Sequence, residues 1–198
     1  EFQNPETGNT WFGKSVAVEG NYIVICAPKY AYENVSEYSG KCYFYAKNGF
    51  YFDLVQTISP PENSTVQEFG LSVVMLTING QVLLFIGSPY DDDNEMTDSG
   101  SIYVFELNVT AVEFLSHSEL YAFDYDAGDQ YGAYIRRCPH TGSLIVGAPS
   151  KDQLFADQGC VYIYSGWDGL EFAVVDQVFS PDPSEGDAFG ASAGIHNG

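Results

Sequence analysis

The chain has 198 residues, 45% hydrophobic and 16% aromatic, which supplies a buried core and excludes a disordered, solvating polymer. Seven basic residues against 27 acidic ones leave a formal charge of −20, so nucleic acid is repelled before it makes contacts. No apolar run approaches the roughly 20 residues of a membrane-spanning helix; the longest are strand-sized, such as Val82 to Ile86, so no direct membrane insertion is expected from this segment.

The first unit opens at Phe12-Gly13, turns at Gly20-Asn21, and closes an apolar run at Ile25-Cys26-Ala27-Pro28. Gly40 then leads into the alternating Tyr43-Phe44-Tyr45, and Asn48-Gly49 turns into Phe52-Asp53-Leu54-Val55-Gln56. Gly and Asn adopt the positive φ of tight hairpins, and alternating aromatic and β-branched residues suit strands, so this is a four-stranded antiparallel meander. The second unit repeats the order with Phe69-Gly70, Asn79-Gly80, Ile86-Gly87-Ser88-Pro89, Gly100 and Tyr103-Val104-Phe105. The third has Tyr131-Gly132, Thr141-Gly142, Val146-Gly147-Ala148-Pro149, Gly159 and Tyr162-Ile163-Tyr164, then Asp168-Gly169 before Phe172 to Asp176. Phe189-Gly190 opens a fourth, read as a single strand to about Ile195. The aromatic-Gly pairs thus recur at intervals of 57, 62 and 58 residues.

A lone sheet of this kind is apolar on both faces and hides them by stacking on its neighbours around an axis. A β-sandwich would not repeat one strand pattern at this period. The predicted fold class is all-β, a β-propeller of four-stranded antiparallel blades, with three blades and the start of a fourth. The repeats span 12–68, 69–130, 131–188 and 189–198, making 1–198 a partial propeller domain. Propellers close with about four to eight blades. The segment is therefore expected to be an excerpt whose end faces are covered by further blades of the same polypeptide or of a neighbouring chain.

The phrases Phe12-Gly13-Lys14-Ser15-Val16, Phe69-Gly70-Leu71-Ser72-Val73 and Val146-Gly147-Ala148-Pro149 resemble the FG-GAP repeats of integrin α-subunit propellers, over essentially the whole chain. The stretch from Gly87 through Asp91 to Phe105 is similar to the calcium-poor variants of that repeat. Integrin-like repeats hold calcium in an Asp- and Asn-rich loop ahead of the Gly-Ala-Pro strand. Here that position reads Glu19-Gly20-Asn21, Ile78-Asn79-Gly80 or His140-Thr141-Gly142, so those standard sites do not carry over.

Two acidic clusters lie elsewhere: Asp91, Asp92, Asp93 and Asp98 between the second and third strands of the second unit, and Asp124, Asp126 and Asp129 before Tyr131. Calcium takes roughly six to eight oxygens, so each cluster reads either as a calcium site completed by carbonyls or as a solvated loop; no cofactor is required. Gly190-Ala191-Ser192-Ala193-Gly194 matches the Gly-x-Ser-x-Gly elbow of hydrolases, but Ser192 aligns with Ser15 and Ser72 and belongs to the repeat. His117, His140 and His196 lie in three different units without ligand spacing.

Sequons at Asn34, Asn63 and Asn108, with four cysteines, point to the secretory route and a place outside the cell or on its surface. Cys26 ends a second strand and Cys42 starts the neighbouring third, so the two are expected to form a disulfide. Cys138 and Cys160 look like a matching pair, yet an intervening strand separates them; they join if the local path is irregular, and partners outside the segment remain open.

The leading function is a non-enzymatic extracellular structural, adhesion or protein-interaction module that presents propeller loops to other proteins. Tyr30, Tyr32, Tyr38, Tyr90 and Tyr125, in or beside loops, are the candidate contact residues, with ordinary loop packing as the competing reading. The alternative is a carbohydrate- or ligand-binding accessory propeller of a larger secreted or cell-surface enzyme. Within the segment there is no coherent set of nucleophile, base and oxyanion donors.

Overall fold

The computed structural model of the chain describes residues 2–31, 38–60, 67–92, 96–138, 141–167 and 172–194. These residues form strands β1 (Ser15–Glu19), β2 (Tyr22–Ala27), β3 (Lys41–Asn48), β4 (Tyr51–Ile58), β5 (Ser72–Ile78), β6 (Gln81–Ser88), β7 (Ser101–Asn108), β8 (Glu113–Leu120), β9 (Tyr134–Arg137), β10 (Leu144–Ala148), β11 (Cys160–Ser165) and β12 (Ala173–Phe179). They make three four-stranded antiparallel sheets, each a meander in chain order.

The repeat is a repeat of register. One rung runs Ser15, Cys26, Cys42, Ile58 across the first sheet; Ser72, Gly87, Ile102, Leu120 across the second; Tyr134, Gly147, Val161, Val178 across the third. A bulge interrupts the pairing of third and fourth strands at Phe44/Tyr45, Val104/Phe105 and Ile163/Tyr164, four residues after Gly40, Gly100 and Gly159. Each sheet therefore takes the same extra twist at the same point.

The second sheet is apolar on both faces because both are covered. Val73, Met75, Leu84, Ile86 and Phe105 pack against Val24, Phe44 and Phe69 towards the first sheet. Val74, Leu76, Leu83, Phe85 and Val104 pack against Ile135, Leu144, Val146 and Tyr162 towards the third. Fully burying a ring such as Phe44 or Phe85 contributes roughly 2 kcal/mol. The outer face of the first sheet is covered in part by its own N-terminal segment, whose Phe2 ring packs edge-on against Tyr45 and tilted against Phe52, with centroids at 4.9 and 6.0 Å.

Each aromatic-Gly pair latches onto the sheet before it. The Phe69 amide donates to Ser39 O at 3.2 Å, Tyr131 to Ser99 O at 3.0 Å, and Phe189 to Gln158 O at 2.9 Å. The backbones approach so closely that a Cβ on Gly40, Gly100 or Gly159 would collide with the carbonyl of Phe69, Tyr131 or Phe189. Ser15 and Ser72 add a second tie, each hydroxyl donating at 2.7 Å to the carbonyl of Gly70 or Gly132 in the next sheet. The first strands are neighbours, with β5 touching both β1 and β9. The Glu19 carboxylate joins all three, accepting from Thr77 Oγ1 at 2.8 Å and pairing with Arg137 at 2.7 Å.

Phe189-Gly190 docks as the earlier pairs do, but no strand follows Phe179 among the described residues, contrary to the expected opening strand of a fourth unit. A first strand with no second strand beside it has no ladder to join. Cys26 and Cys42 face each other on one rung and form a disulfide, S–S 2.03 Å, beneath Gly70. Cys138 and Cys160 are buried thiols, not a disulfide, which corrects that proposed pairing. Cys138 adjoins the Arg137/Leu144 end of β10 and Cys160 pairs with Ala148 at the other. Four residue steps of strand separate those ends by about 13 Å.

Candidate functional site

Meander topology sends two kinds of loop to the same end of every sheet: those joining second and third strands, and those joining one sheet to the next. This loop end carries Tyr30, Tyr38, Tyr90 and Tyr125 and the described residues of both acidic clusters. Three residues after Gly40, Gly100 and Gly159, a tyrosine points its hydroxyl towards this end and donates to a carboxylate. Tyr43 bonds Glu6 at 3.2 Å, Tyr103 bonds Asp91 at 2.6 Å and Tyr162 bonds Asp124 at 2.7 Å. Burial, followed by the bonded carboxylate, pushes all three phenols far above the usual range, so they stay protonated and remain donors.

The described carboxylates of the two clusters differ in what they bond. Asp91 is buried and spends its carboxylate on Gln67 Nε2, Ser101 Oγ and Tyr103 OH, each at 2.6 Å. Asp92 is exposed and accepts the Asp98 amide at 2.9 Å, and the Asp98 carboxyl is pushed up by burial and then by Asp92. Asp93 lies outside the described residues. In the segment leading to the third unit, Asp124 accepts from Tyr162 and, at 3.1 Å, from Gln177 Nε2. Buried Asp129 pairs with Lys151 Nζ at 2.8 Å and accepts the Asp126 amide, while Asp126 itself is exposed. Lys151 Nζ also donates to the Asp124 carbonyl. Burial raises the Asp129 carboxyl, opposed by Lys151. Among the described residues no three metal-ligating side chains converge.

The tyrosines divide. Tyr38 is 43% exposed, whereas Tyr30 and Tyr125 are half-buried, Tyr30 under the Lys41 ammonium at 3.6 Å and Tyr125 against the core between the second and third sheets. Tyr90 is half-buried, its phenol pushed up by burial and then by Glu68 and Asp98. Tyr32 lies outside the described residues. Exposed alongside Tyr38 at this end are residues that the sequence did not mark: Trp11, Phe123, Leu154 and Phe155. No pattern in the sequence marks them, because exposure within a loop depends on its path.

Asn108 ends β7 half-buried, its Oδ1 accepting the amides of Thr110 and Ala111 at 3.1 and 3.2 Å; Asn34 and Asn63 lie outside the described residues. So do His140, His196 and the side chain of His117. Ser192 is exposed in a bend with no strand leading into it, so the strand-turn-helix of a nucleophile elbow is not formed around it. No protein-family model matches the chain, and no curated protein matches its sequence.

Proposed function

We propose that the three sheets are successive blades of a propeller of the FG-GAP kind, and that the chain is a non-enzymatic extracellular module whose loop end binds other proteins. The propeller reading is supported by the side-by-side first strands tied through Glu19, and by one latch repeated from sheet to sheet. Placement outside the cell is supported by the buried Cys26–Cys42 disulfide, a bond that persists in oxidising compartments.

The observation that carries the binding role is the loop end itself. There, carboxylates are tied down by tyrosine and lysine, holding the loops, while Tyr38, Phe123, Leu154 and Phe155 stay 43%, 62%, 73% and 47% exposed. Large side chains held out of the core on fixed loops are the anchors that protein interfaces use. The opposite end also shows exposed rings, Phe50 and Tyr51, and so provides the control. The test tethers the chain on beads and measures binding to a panel of purified extracellular proteins. Phe123→Ala with Phe155→Ala is expected to abolish binding while Phe50→Ala with Tyr51→Ala retains it. Loss with the second pair alone, or no binding across the panel, overturns the reading.

A further inference from the structure

The residue before each aromatic-Gly pair has a left-handed backbone: Trp11 at φ +58°, Glu68 at +45°, Gln130 at +56° and Ala188 at +50°. Four different side chains at one conformation show that the fold asks for none in particular. A bulky ring is a costly choice there. Burial does not account for it, since Trp11 is 40% exposed.

What the ring does is hold a cation. Lys29 Nζ lies 3.7 Å from the Trp11 ring centroid and 5.1 Å from that of Tyr38, while Lys14 Nζ lies 5.5 Å from Trp11. Backbone bonds fix the group: Lys14 N to Trp11 O at 2.9 Å, Lys29 N to Thr10 O at 3.1 Å, and Glu68 N to Tyr38 O at 3.1 Å. Among the described residues no carboxylate lies within ion-pair distance of Lys14 or Lys29, in a protein with only seven basic residues. The nearby Glu68 carboxyl is raised by burial and lowered by Lys29 and Lys14, and Tyr90 and Asp98 continue this acidic, hydroxyl-bearing rim.

We propose that Trp11, Lys14, Lys29 and Tyr38 form a subsite for an acidic sugar, a pyranose bearing one carboxylate. Tyr38, 43% exposed, offers the flat, amphipathic surface on which a pyranose face packs, while Trp11 holds the Lys29 ammonium that meets the carboxylate. The rim of Glu68, Tyr90 and Asp98 accepts and donates hydrogen bonds to sugar hydroxyls. The same rim and the −20 overall charge repel a ligand with many negative charges, such as an acidic peptide or a sulfated chain. The subsite shares the loop end with the proposed protein-binding face and rests on that end being a binding surface. It uses none of Phe123, Leu154 or Phe155, so the two readings fail separately.

The test titrates the whole chain with sialyllactose, a glucuronic-acid disaccharide, neutral lactose and hexa-aspartate, followed by saturation-transfer NMR and calorimetry. At least one acidic sugar is expected to bind, with lactose and hexa-aspartate each at least about tenfold weaker. Trp11→Ala and Lys29→Gln are each expected to weaken that sugar by about tenfold at an unchanged thermal midpoint, with Trp11→Tyr retaining most of the affinity. No binding of either acidic sugar, equal binding of lactose or hexa-aspartate, or either loss variant binding like the parent overturns the proposal. Phe123→Ala with Phe155→Ala leaves sugar binding unchanged, which separates this result from the protein-binding one.

Discussion

The second and third sheets fill one equivalent buried position with opposite charges. Asp91 and Lys151 each lie four residues after the rung glycine, and each offers its carbonyl to the amide of Gly100 or Gly159, at 3.1 and 3.0 Å. Asp91 is surrounded by neutral donors, Gln67, Ser101 and Tyr103. Lys151 is surrounded by acceptors, the Asp129 carboxylate and the Asp124 carbonyl and carboxylate. The backbone role is constant and the side-chain chemistry is free, provided that the partner two residues before the aromatic-Gly pair, Gln67 or Asp129, changes with it. A buried charge is tolerated only with its complement.

The sharpest way to break that complement is Lys151→Met, which leaves Asp129 buried without its cation. It is expected to cost about 4 kcal/mol in urea unfolding, with most of the loss recovered when Asp129→Leu is added. A double variant as unstable as Lys151→Met alone would show the pair is not the unit. The first sheet stands outside this comparison, having Tyr30 at the equivalent position and a disulfide on its rung where the others have Gly87 and Gly147. Replacing Cys26 and Cys42 together by Ala is expected to cost about 3 kcal/mol, the typical effect of closing a loop of this size, again read by urea unfolding. A loss under about 1 kcal/mol would place the stability of this sheet in its packing instead.

The smallest effect is that of pH. Burial raises the carboxyls of Glu68, Asp98, Glu119 and Asp129 in the folded state, so each is easier to ionise once unfolded. Ionisation therefore costs stability as pH rises through the carboxylate range, and acidification from neutrality restores it until the unfolded carboxyls also protonate. The midpoint in thermal scans is expected to rise by roughly 2–5 °C between neutrality and about pH 5, helped by relief of self-repulsion at −20 charge. A midpoint that falls over that interval contradicts the assignment.

The three sheets were legible because their signals are backbone signals. Asn79-Gly80 and the glycines that open the third strands can hardly be read otherwise, and the facing of Cys26 with Cys42 follows once strand order is known. The turn into β8 was not legible: it carries no Asn-Gly, and is closed by Asn108 Oδ1 accepting two amides, with Val112 at φ +56°. The acidic loops misled for a related reason. Asp91 looks like the start of a solvated run, yet it is buried because the chain returns past Gln67, and no local pattern encodes that meeting. Trp11 carried no periodic signal, and its exposure emerged only with the lysine and tyrosine brought beside it.

The latch of each aromatic-Gly pair reaches back to the preceding sheet, so the backbone ties from sheet to sheet run between nearest neighbours, with the Glu19–Arg137 pair reaching one sheet further. Such a molecule is a short one-dimensional lattice of coupled two-state sites, its free energy a sum of self-terms and bond terms. The second sheet, bonded to the first and to the third, is a site whose flip breaks two couplings at once.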